Sequence, residues 1–260
     1  MGDRSEGSAQ PSRSERRRFL TVYGRNAVLE ALTDLQLECR TLHLARSNRP
    51  GAGLRELERA AITRGTAVRE HSREELARIS RNGRQDQGVA LDVLCPRMRE
   101  LESCIDEDLA APKQRLLALD GVTNPQNMGM AIRSATAAGI DGILCADRGN
   151  PRLGPLVIKA SAGTVFRAPL LRCASVLEGL KMLLARDFDL YRLSAEGSLS
   201  LFDLAPVTRS AVFVLGGESE GLSDAVAQLP GRDLSIPMAE GVESLNVAVS
   251  AALLAYHVTR

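Results

Sequence analysis

The stretch VFVLGGESEGL at residues 212–222 decides how the rest of the chain can be interpreted. An apolar run of strand length leads directly into Gly216 and Gly217. Glycine has no Cβ, so a ligand or a second backbone segment can approach the chain closely at these positions. No GK[ST] follows, which excludes a phosphate-binding loop. The pattern predicts a buried strand that ends at a binding site, with a plain turn and a solvated Glu218 as the alternative.

Short apolar runs alternate with amphipathic segments on both sides of this stretch. Strands are predicted at 115–119, 142–146, 189–194, 211–215 and 233–237, and helices at 127–138, 155–162, 175–186, 222–228 and 245–258. Such alternation predicts an α/β fold with a mostly parallel sheet covered on both faces. Ligands of these sheets bind beyond the carboxyl ends of the strands. The residues that follow each strand are therefore the candidate site residues.

The sequence NPQNMGMAIR at 124–133 follows the first of these strands. Its helix has one apolar stripe that is predicted to face the core, formed by Met128, Ala131, Ile132, Ala135 and Ala138. Arg133 lies about 140° from the centre of that stripe at about 100° per residue. We expect Arg133 to project away from the packing, near the mouth of the sheet. An ordinary exposed arginine on an amphipathic helix is the alternative interpretation.

The third candidate segment runs from SIPM at 235–238 to GVESLNVAVS at 241–250. The helix from Leu245 to Val258 is apolar nearly all round, which predicts that it is buried or lies in an interface. Ser244 is predicted to be its N-cap. Asn246 would then be a polar amide in the first turn of a buried helix. Such a group costs stability unless it is hydrogen-bonded, so Asn246 indicates a site.

The first 113 residues have a different organisation. Residues 1–18 carry five arginines and little apolar content, which predicts disorder. Residues 19–95 predict a small α/β domain with helices at 26–32, 54–64 and 73–79, the first capped by Asn26, and strands at 41–45, 67–70 and 89–94. Residues 96–113 are acidic and irregular and predict a linker. The second domain occupies residues 114–260.

Charge and composition narrow the choice of protein class. Residues 1–100 hold 19 arginines against 14 acids, a net +5, whereas the remainder has 14 bases against 18 acids, a net −4. The arginine excess fits phosphate binding and fits a solvated surface with a basic tail equally well. No apolar run approaches the roughly 20 residues of a membrane span, and we expect a cytoplasmic protein. The five cysteines and three histidines have no metal-ligand or disulfide spacing, so we expect no metal.

The three candidate segments, taken in order, closely resemble the signature motifs of the SpoU/TrmH family of SPOUT RNA 2′-O-ribose methyltransferases. Asn127-x-Gly129-x-x-x-Arg133 resembles the first motif and residues 215–222 the second. Ile236-Pro237-Met238 and residues 244–247 resemble the third. Residues 159–163 are also similar to that family. Residues 23–28 and 87–90 resemble the substrate-binding domain of many members, a domain that is itself similar to an RNA-binding ribosomal protein.

This resemblance implies a trefoil-knotted second domain, a homodimer and S-adenosyl-L-methionine as the cofactor. Backbone groups near four residues would bind that cofactor: Gly216, Ile236, Met238 and Leu245. Arg133 would be the principal catalytic residue, surrounded by Asn127, Glu218, Ser244 and Asn246.

The implied reaction is attack of a ribose 2′-hydroxyl on the methyl group of a sulfonium. Arginine stays protonated in proteins, so we expect Arg133 to stabilise the developing alkoxide and to clamp a phosphate. Glu218 would orient Arg133. Asn127 and Asn246 would hold the motif loops and the ribose.

The resemblance leaves the substrate open. Ribosomal RNA is favoured by the two-domain layout and transfer RNA is the runner-up, whereas neither DNA nor a membrane is expected as a partner. A different class of hypothesis is a non-catalytic RNA-binding or ribosome-assembly factor on the same fold. Loss of Arg133 or Asn246 would have favoured that hypothesis, and both residues are present. A nucleotide-binding oxidoreductase is excluded because its glycine fingerprint is missing.

Overall fold

The computed structural model describes residues 18–106, 109, 113–218 and 220–260. The chain forms two compact units that divide between Leu94 and Cys95. The disorder predicted for residues 1–18 falls, apart from Arg18, outside the described residues and stays a prediction. No helix among the described residues has the length and apolar character needed to cross a membrane.

The described residues of the first unit form four strands and three helices: β1 (Phe19–Tyr23), α1 (Arg25–Thr33), β2 (Glu38–Ala45), α2 (Ala52–Thr63), β3 (Ala67–His71), α3 (Arg73–Ser80) and β4 (Val89–Leu94). The strand order is β1-β4-β2-β3, in which only β2 and β3 are parallel neighbours. Its core contains Val22, Val28, Leu42, Leu57 and Leu91, each at most 1% exposed. The small α/β domain expected before the second domain is thus present.

The predicted Asn26 cap of the first helix is wrong. Helix α1 begins at Arg25, and Gly24 is its N-cap residue, without a side-chain cap bond. Gly24 has a φ of +88°, and its amide donates to the carbonyl of Val89 at 3.2 Å. A left-handed conformation favours glycine, so the turn at Gly24, directly after β1, fixes where the helix begins.

The second unit contains the larger sheet. Its strands are β5 (Arg99–Glu100), β6 (Arg115–Asp120), β7 (Gly142–Ala146), β8 (Leu170–Cys173), β9 (Asp189–Leu193), β10 (Leu199–Ser200), β11 (Ala211–Gly216) and β12 (Arg232–Ser235). Its helices are α4 (Leu101–Cys104), α5 (Pro125–Ala138), α6 (Pro155–Ala160), α7 (Val176–Leu184), α8 (Asp224–Ala227) and α9 (Val247–Val258).

All eight strands of this sheet are parallel, in the order β10-β12-β9-β11-β6-β7-β8-β5. The two central strands, β6 and β11, are buried along almost their whole length. Strands that are covered on both faces read as continuous apolar runs, which is why these two were visible in the sequence. The expectation of an α/β fold with a mostly parallel sheet is confirmed.

The segment at 96–113 is not a linker in its described part. Strand β5 pairs with β8, and α4 follows immediately. The apolar residues between the acidic positions are buried in the core of the second unit, namely Leu101, Cys104, Ile105 and Leu109. Glu102 and Asp106 remain exposed. The high acid content, which suggested a linker, belongs to the solvent-facing side of a packed segment.

Candidate active site at the carboxyl edge of the sheet

The carboxyl ends of all eight parallel strands lie along one edge of the second unit. The ends of β6 and β11 are direct neighbours there, with Gly216 opposite Asp120 in the register of the two strands. The motif segment at 124–133 follows β6, and the glycine-rich segment at 216–222 follows β11. The sheet therefore brings the first two motif segments to the same place, as ligand sites of parallel α/β sheets require.

The described residues of the glycine-rich segment, 216–218 and 220–222, approach one another closely. Gly217 and Gly221 form an antiparallel bridge in which each amide donates to the other's carbonyl at 3.0 Å. A Cβ on Gly216 would lie 2.1 Å from the carbonyl carbon of Gly221, and one on Gly217 would lie 2.4 Å from the carbonyl oxygen of Gly121. Only glycine fits such distances. The paired glycines are thus needed for backbone approach, here by the chain itself.

The first motif forms the start of helix α5. Asn124 is the N-cap, and its side-chain oxygen accepts from the amide of Gln126 at 2.8 Å, with Pro125 in the first turn. Gly129 faces α6, where an added Cβ would lie 2.6 Å from the Cβ of Ala160. This close approach seats the helix, and it leaves Asn127 buried, with 5% of its surface exposed.

A hydrogen-bonded network joins all three motif segments. The side-chain amide of Asn127 donates to Oε1 of Glu218. Oδ1 of Asn127 accepts from Nδ2 of Asn246 at 3.1 Å, and Oδ1 of Asn246 accepts from the amide of Ala248 at 2.9 Å. Asn127 is buried and its side-chain amide and oxygen are both satisfied, whereas Glu218 and Asn246 are exposed. Asn127, Glu218 and Asn246, which come from three distant parts of the chain, therefore form one unit.

The predicted capping role of Ser244 is wrong. Helix α9 begins at Val247, and Asn246 is its N-cap, so the helix is shorter at this end than the sequence suggested. Ser244 is exposed, two residues before the cap. The physical reason lies in the side chain of Asn246, which can cap the helix through its oxygen and reach Asn127 through its nitrogen. Serine has no second arm of that kind.

Arg133 is exposed, as its position on the helix predicted. It lies about 9 Å along the axis of α5 from Asn127, at about 1.5 Å per residue, and on a different face. Within the described part of the chain, Arg133 makes no hydrogen bond or ion pair. Glu218 therefore orients Asn127 in this structure, and the expected contact between Glu218 and Arg133 is not formed. The guanidinium is left available to an anion.

The residues expected at the cofactor flank the same edge. Ile236 is 9% exposed and Met238 36% exposed, and Leu245 is half-buried. The segment that carries them starts at the end of β12 and finishes at Asn246 beside α5, so it crosses the carboxyl edge past β9. Gly216 ends β11 on this edge. The edge thus offers backbone groups and apolar side chains close to the polar network.

Cysteine chemistry is not a candidate here. Cys145 and Cys173 lie near the carboxyl ends of β7 and β8, and burial raises the pKa of both thiols to about 12. A thiol acts as a nucleophile or metal ligand only when it is deprotonated. Among the described residues, no group of three or more His, Cys, Asp or Glu is arranged to hold a metal ion.

Two residues of this edge were missed in the sequence. Asp120 ends β6 and is 9% exposed, and its Oδ2 accepts from both the amide and the hydroxyl of Ser223, at 2.8 and 2.7 Å. The available signal was an aspartate that directly follows the apolar run at 116–119, since a buried carboxylate must find donors. Its partner lies 103 residues further along the chain, which no local pattern reveals.

Fold and sequence together define a class of protein: an α/β protein whose glycine-rich segment at the carboxyl edge of the sheet is neither a phosphate loop nor a dinucleotide fingerprint. Comparison with known proteins agrees. The family model of the SpoU rRNA Methylase family matches residues 114–256. A second model, described as RNA 2′-O ribose methyltransferase substrate binding, matches residues 21–97. The chain belongs to the SpoU rRNA methylase family.

Individual relatives cover nearly the whole chain. An uncharacterized tRNA/rRNA methyltransferase of Mycobacterium tuberculosis is 33% identical over 97% of this chain and 78% of its own. The SpoU methyltransferase AviRb from Streptomyces viridochromogenes, crystallised with AdoMet, superposes with a TM-score of 0.62 at 25% identity, over 94% of this chain and 90% of that one. An RNA 2′-O ribose methyltransferase superposes with a TM-score of 0.57 at 25% identity, over 93% and 88%.

Proposed function

We propose that this chain transfers a methyl group from S-adenosylmethionine to a ribose 2′-hydroxyl of RNA. The observation that carries the proposal is the network of Asn127, Glu218 and Asn246, which joins the three motif segments. Family membership supports methyl transfer, and the match of residues 21–97 to a substrate-binding model supports an RNA substrate. AviRb, which binds AdoMet, supports the choice of cofactor.

The residues at the carboxyl edge fit this cofactor. The glycine-rich loop starts at the end of β11 on this edge, and a ligand can approach a glycine backbone closely. Ile236, Met238 and Leu245 offer apolar surface, and with Gly216 they would hold the adenosine and methionine parts. The bound cofactor supplies an electrophilic methyl group on a sulfonium.

The remaining work falls to polar residues of this chain. A 2′-hydroxyl is a poor nucleophile, so it must be positioned and its developing negative charge must be stabilised. Arg133 carries a permanent positive charge and is exposed on the same helix as Asn127. It would stabilise the developing alkoxide and hold a neighbouring phosphate. Asn127, Glu218 and Asn246 would fix the loops, and the exposed Ser244 would contact the ribose.

We also propose a homodimer. Helix α9 packs against α5, yet it leaves large apolar side chains exposed: Val249 at 48%, Leu253 at 36% and Tyr256 at 44%. Leu253 and Tyr256 also line a cavity of about 430 Å³ together with Phe202 and Leu204. Contiguous exposed apolar surface of this kind is typical of an interface. A second copy of the chain would cover it, and the trefoil knot implied by the family belongs to the same proposal.

Ribosomal RNA is the favoured substrate, because a separate RNA-binding unit precedes the catalytic one. The alternative is transfer RNA. The test uses purified protein, labelled S-adenosylmethionine and separate pools of unmodified ribosomal and transfer RNA, with mass spectrometry of nuclease digests. We expect a 2′-O-methyl nucleotide from one pool.

Two arginine variants and one control make this test specific. Arg133→Ala should abolish the product, and Arg133→Lys should remain far below the parent because lysine lacks the bidentate fork. Arg209→Ala, which removes an exposed arginine just before β11 at the opposite edge, should act like the parent. Tight RNA binding by the parent without transfer in either pool would favour the non-catalytic factor. Parent-like activity of Arg133→Lys would contradict the phosphate clamp.

A further inference from the structure

Asp120, which is buried, and Ser223, which is exposed, form a contact that the catalytic scheme above does not use. Asp120 is 9% exposed, and a single carboxylate oxygen accepts both hydrogen bonds from Ser223. Bonds to an ionised acceptor are roughly twice as strong as neutral ones. Ser223 is the N-cap residue of α8, yet its hydroxyl makes no cap bond. A serine at an N-cap ordinarily accepts a hydrogen bond from an amide of its own helix. Here the hydroxyl donates to Asp120 instead.

This contact holds the C-terminal end of the glycine-rich loop against the end of β6. The N-terminal end of the loop is held by the pairing of Gly216 with Asp120 and by the close approach of Gly217 to Gly121. Ser223, two residues after Gly221, returns to the same aspartate. The loop is therefore fastened to the end of β6 at its beginning through the backbone and at its end through one side chain.

The fastened loop carries Glu218, the partner of Asn127. Glu218 lies one residue after Gly217 and bonds to the buried amide of Asn127. Release of the far end of the loop would free the backbone around Gly221 and weaken the constraint on Glu218. Asp120 thus contacts the glycine-rich loop directly, and it affects the polar network only through that loop.

We propose that Asp120 is a positioning residue that, through Ser223, holds the glycine-rich loop in the shape that binds the cofactor. This inference rests on the proposed function for the identity of the ligand. Asp120 acts through the loop, because its carboxylate is already occupied by Ser223. Asp120 sets cofactor affinity, whereas affinity for RNA depends on other residues.

Three variants test the contact in the full-length protein. Asp120→Asn removes the charge with little change of shape, and Ser223→Ala removes the hydroxyl while the backbone amide remains. Ser223→Thr restores a hydroxyl. The matched control is Asp141→Asn, because Asp141 accepts from the amide of Arg115 at 2.8 Å at the opposite end of the same strand. Urea unfolding of each variant measures how much stability it loses.

The primary measurement is calorimetric binding of S-adenosylmethionine and of S-adenosylhomocysteine. We expect Asp120→Asn and Ser223→Ala to raise both dissociation constants by about tenfold or more, equivalent to about 1.4 kcal/mol. The KM for RNA should stay within about twofold of the parent's. Ser223→Thr should recover most of the affinity, and Asp141→Asn should bind like the parent. Hydrogen exchange of the peptide covering 216–223 should be faster in Asp120→Asn than in the parent or in Asp141→Asn.

The outcomes separate this inference from the proposed function. A parent protein that binds neither ligand would overturn the proposed function, and the inference with it. A parent that binds while Asp120→Asn binds equally well would overturn the inference alone. Equal losses of affinity in Asp120→Asn and Asp141→Asn, in step with their losses of stability, would also overturn it, because a general structural role would then account for both.

Discussion

Asn246 performs two tasks with one side chain, and the two can be separated by substitution. Its oxygen caps α9 and its nitrogen donates to Asn127. Asn246→Asp keeps a good capping oxygen but loses the donor. If the amide of Asn127 turns to satisfy the new carboxylate, it abandons Glu218. We therefore expect Asn246→Asp to fold with a stability near the parent's and to lose methyl transfer by roughly 100-fold, the cost of a small misplacement in an active site.

The control for this prediction is Ser175→Ala. Ser175 caps α7 by accepting from the amide of Glu178 at 3.2 Å, away from the motif segments. Its loss should lower the free energy of unfolding by about 1 kcal/mol and leave transfer unchanged. Labelled-cofactor assays and urea unfolding of the two variants provide the comparison. Parent-like transfer by Asn246→Asp would mean that the network is dispensable.

The buried thiols of Cys145 and Cys173 predict a loss of stability in alkali. Their pKa values are about 12 in the folded chain, against about 9 when the chain is unfolded. Below about pH 9 the thiols are protonated in both the folded and the unfolded state, so they do not change the free energy of unfolding. Above that pH the unfolded state ionises first, and the free energy of unfolding should fall by up to about 1.4 kcal/mol per pH unit and thiol.

Urea titrations between pH 8 and 10.5 test this effect. The free energy of unfolding of Cys145→Ala should fall less steeply with pH than that of the parent. Its value at pH 8 should be lower than the parent's, because a buried side chain is truncated. Identical slopes for both proteins would show that other groups govern the alkaline loss.

At the level of single residues, the sequence drew attention to Asn246 through its place at the start of an apolar helix, although the structure leaves Asn246 exposed as the N-cap. Asn246 could be selected because an amide at the start of an apolar helix needs a partner. Asn127, the partner of Asn246, was identified from the family motif. The helix cap that Asn246 provides was assigned to Ser244 in error. Asp120 and Ser223 escaped because a hydrogen bond across 103 residues leaves no local trace. Local patterns show that a polar group needs a partner, and only the fold shows which partner it finds.

The crossing of α5 and α6 depends on the absence of a side chain at Gly129. An added Cβ would lie 2.6 Å from both the Cβ of Ala160 and the carbonyl oxygen of Val157. Alanine is the better helix former by about 1 kcal/mol, but overpacking costs about 1–3 kcal/mol. We expect Gly129→Ala to be net destabilising and to displace Asn127, which precedes it by two residues, so that transfer also falls.

Gly53 is the matched control, since it also lies in a helix, α2, but has no atom within 4 Å of an added Cβ. Gly53→Ala should gain about 0.5–1 kcal/mol from helix propensity alone. Urea unfolding of both variants and the parent measures whether each substitution raises or lowers the free energy of unfolding. A stabilised Gly129→Ala would indicate that the two helices can separate at little cost.

At the level of elements, length decided what could be predicted. The long buried strands β6, β7 and β11 were found because each has four to six consecutive apolar or small residues. Strands β5 and β10 have two residues each, and neither was predicted. Two residues carry no periodicity, so such strands exist only through the neighbours that they pair with. Strand β8, with an arginine inside four residues, was lost for the same reason.

At the level of the whole molecule, alternation of elements predicted a parallel sheet but could not give its strand order. The order β12-β9-β11-β6-β7 arises from crossovers that skip positions, and the local sequence contains no record of them. The motif resemblance supplied what periodicity could not, because it implied that the ends of β6, β11 and β12 share one site. The hydrogen bonds between Asn127, Glu218 and Asn246 agree with that implication for the described residues.

The charge difference between the two halves of the chain has a structural counterpart in the first unit. Strand β4 runs antiparallel to β1 and β2, so the loops after β1 and β2 and the loop before β4 share one edge of the sheet. We call this the basic edge, because four exposed arginines lie in these loops: Arg46, Arg49, Arg81 and Arg84. Asp86, the acid of the same loops, is fully buried and paired with Arg73. The edge therefore presents four exposed positive charges, whereas the acid of its own loops is buried.

RNA affinity should depend on this basic edge through its phosphate contacts. Arg81→Gln with Arg84→Gln removes two charges there, and Arg55→Gln with Arg59→Gln removes two exposed charges from α2 as a matched control. Each phosphate contact contributes about 0.7–0.9 to the slope of log affinity against log salt. We expect the first pair to lower that slope by roughly 1.5 and to weaken binding at low salt by about tenfold, whereas the control pair changes both far less. Fluorescence anisotropy of an RNA fragment across a salt series measures both quantities. Equal effects of the two pairs would mean that the RNA responds to net charge alone, and the basic edge would then have no special part in binding.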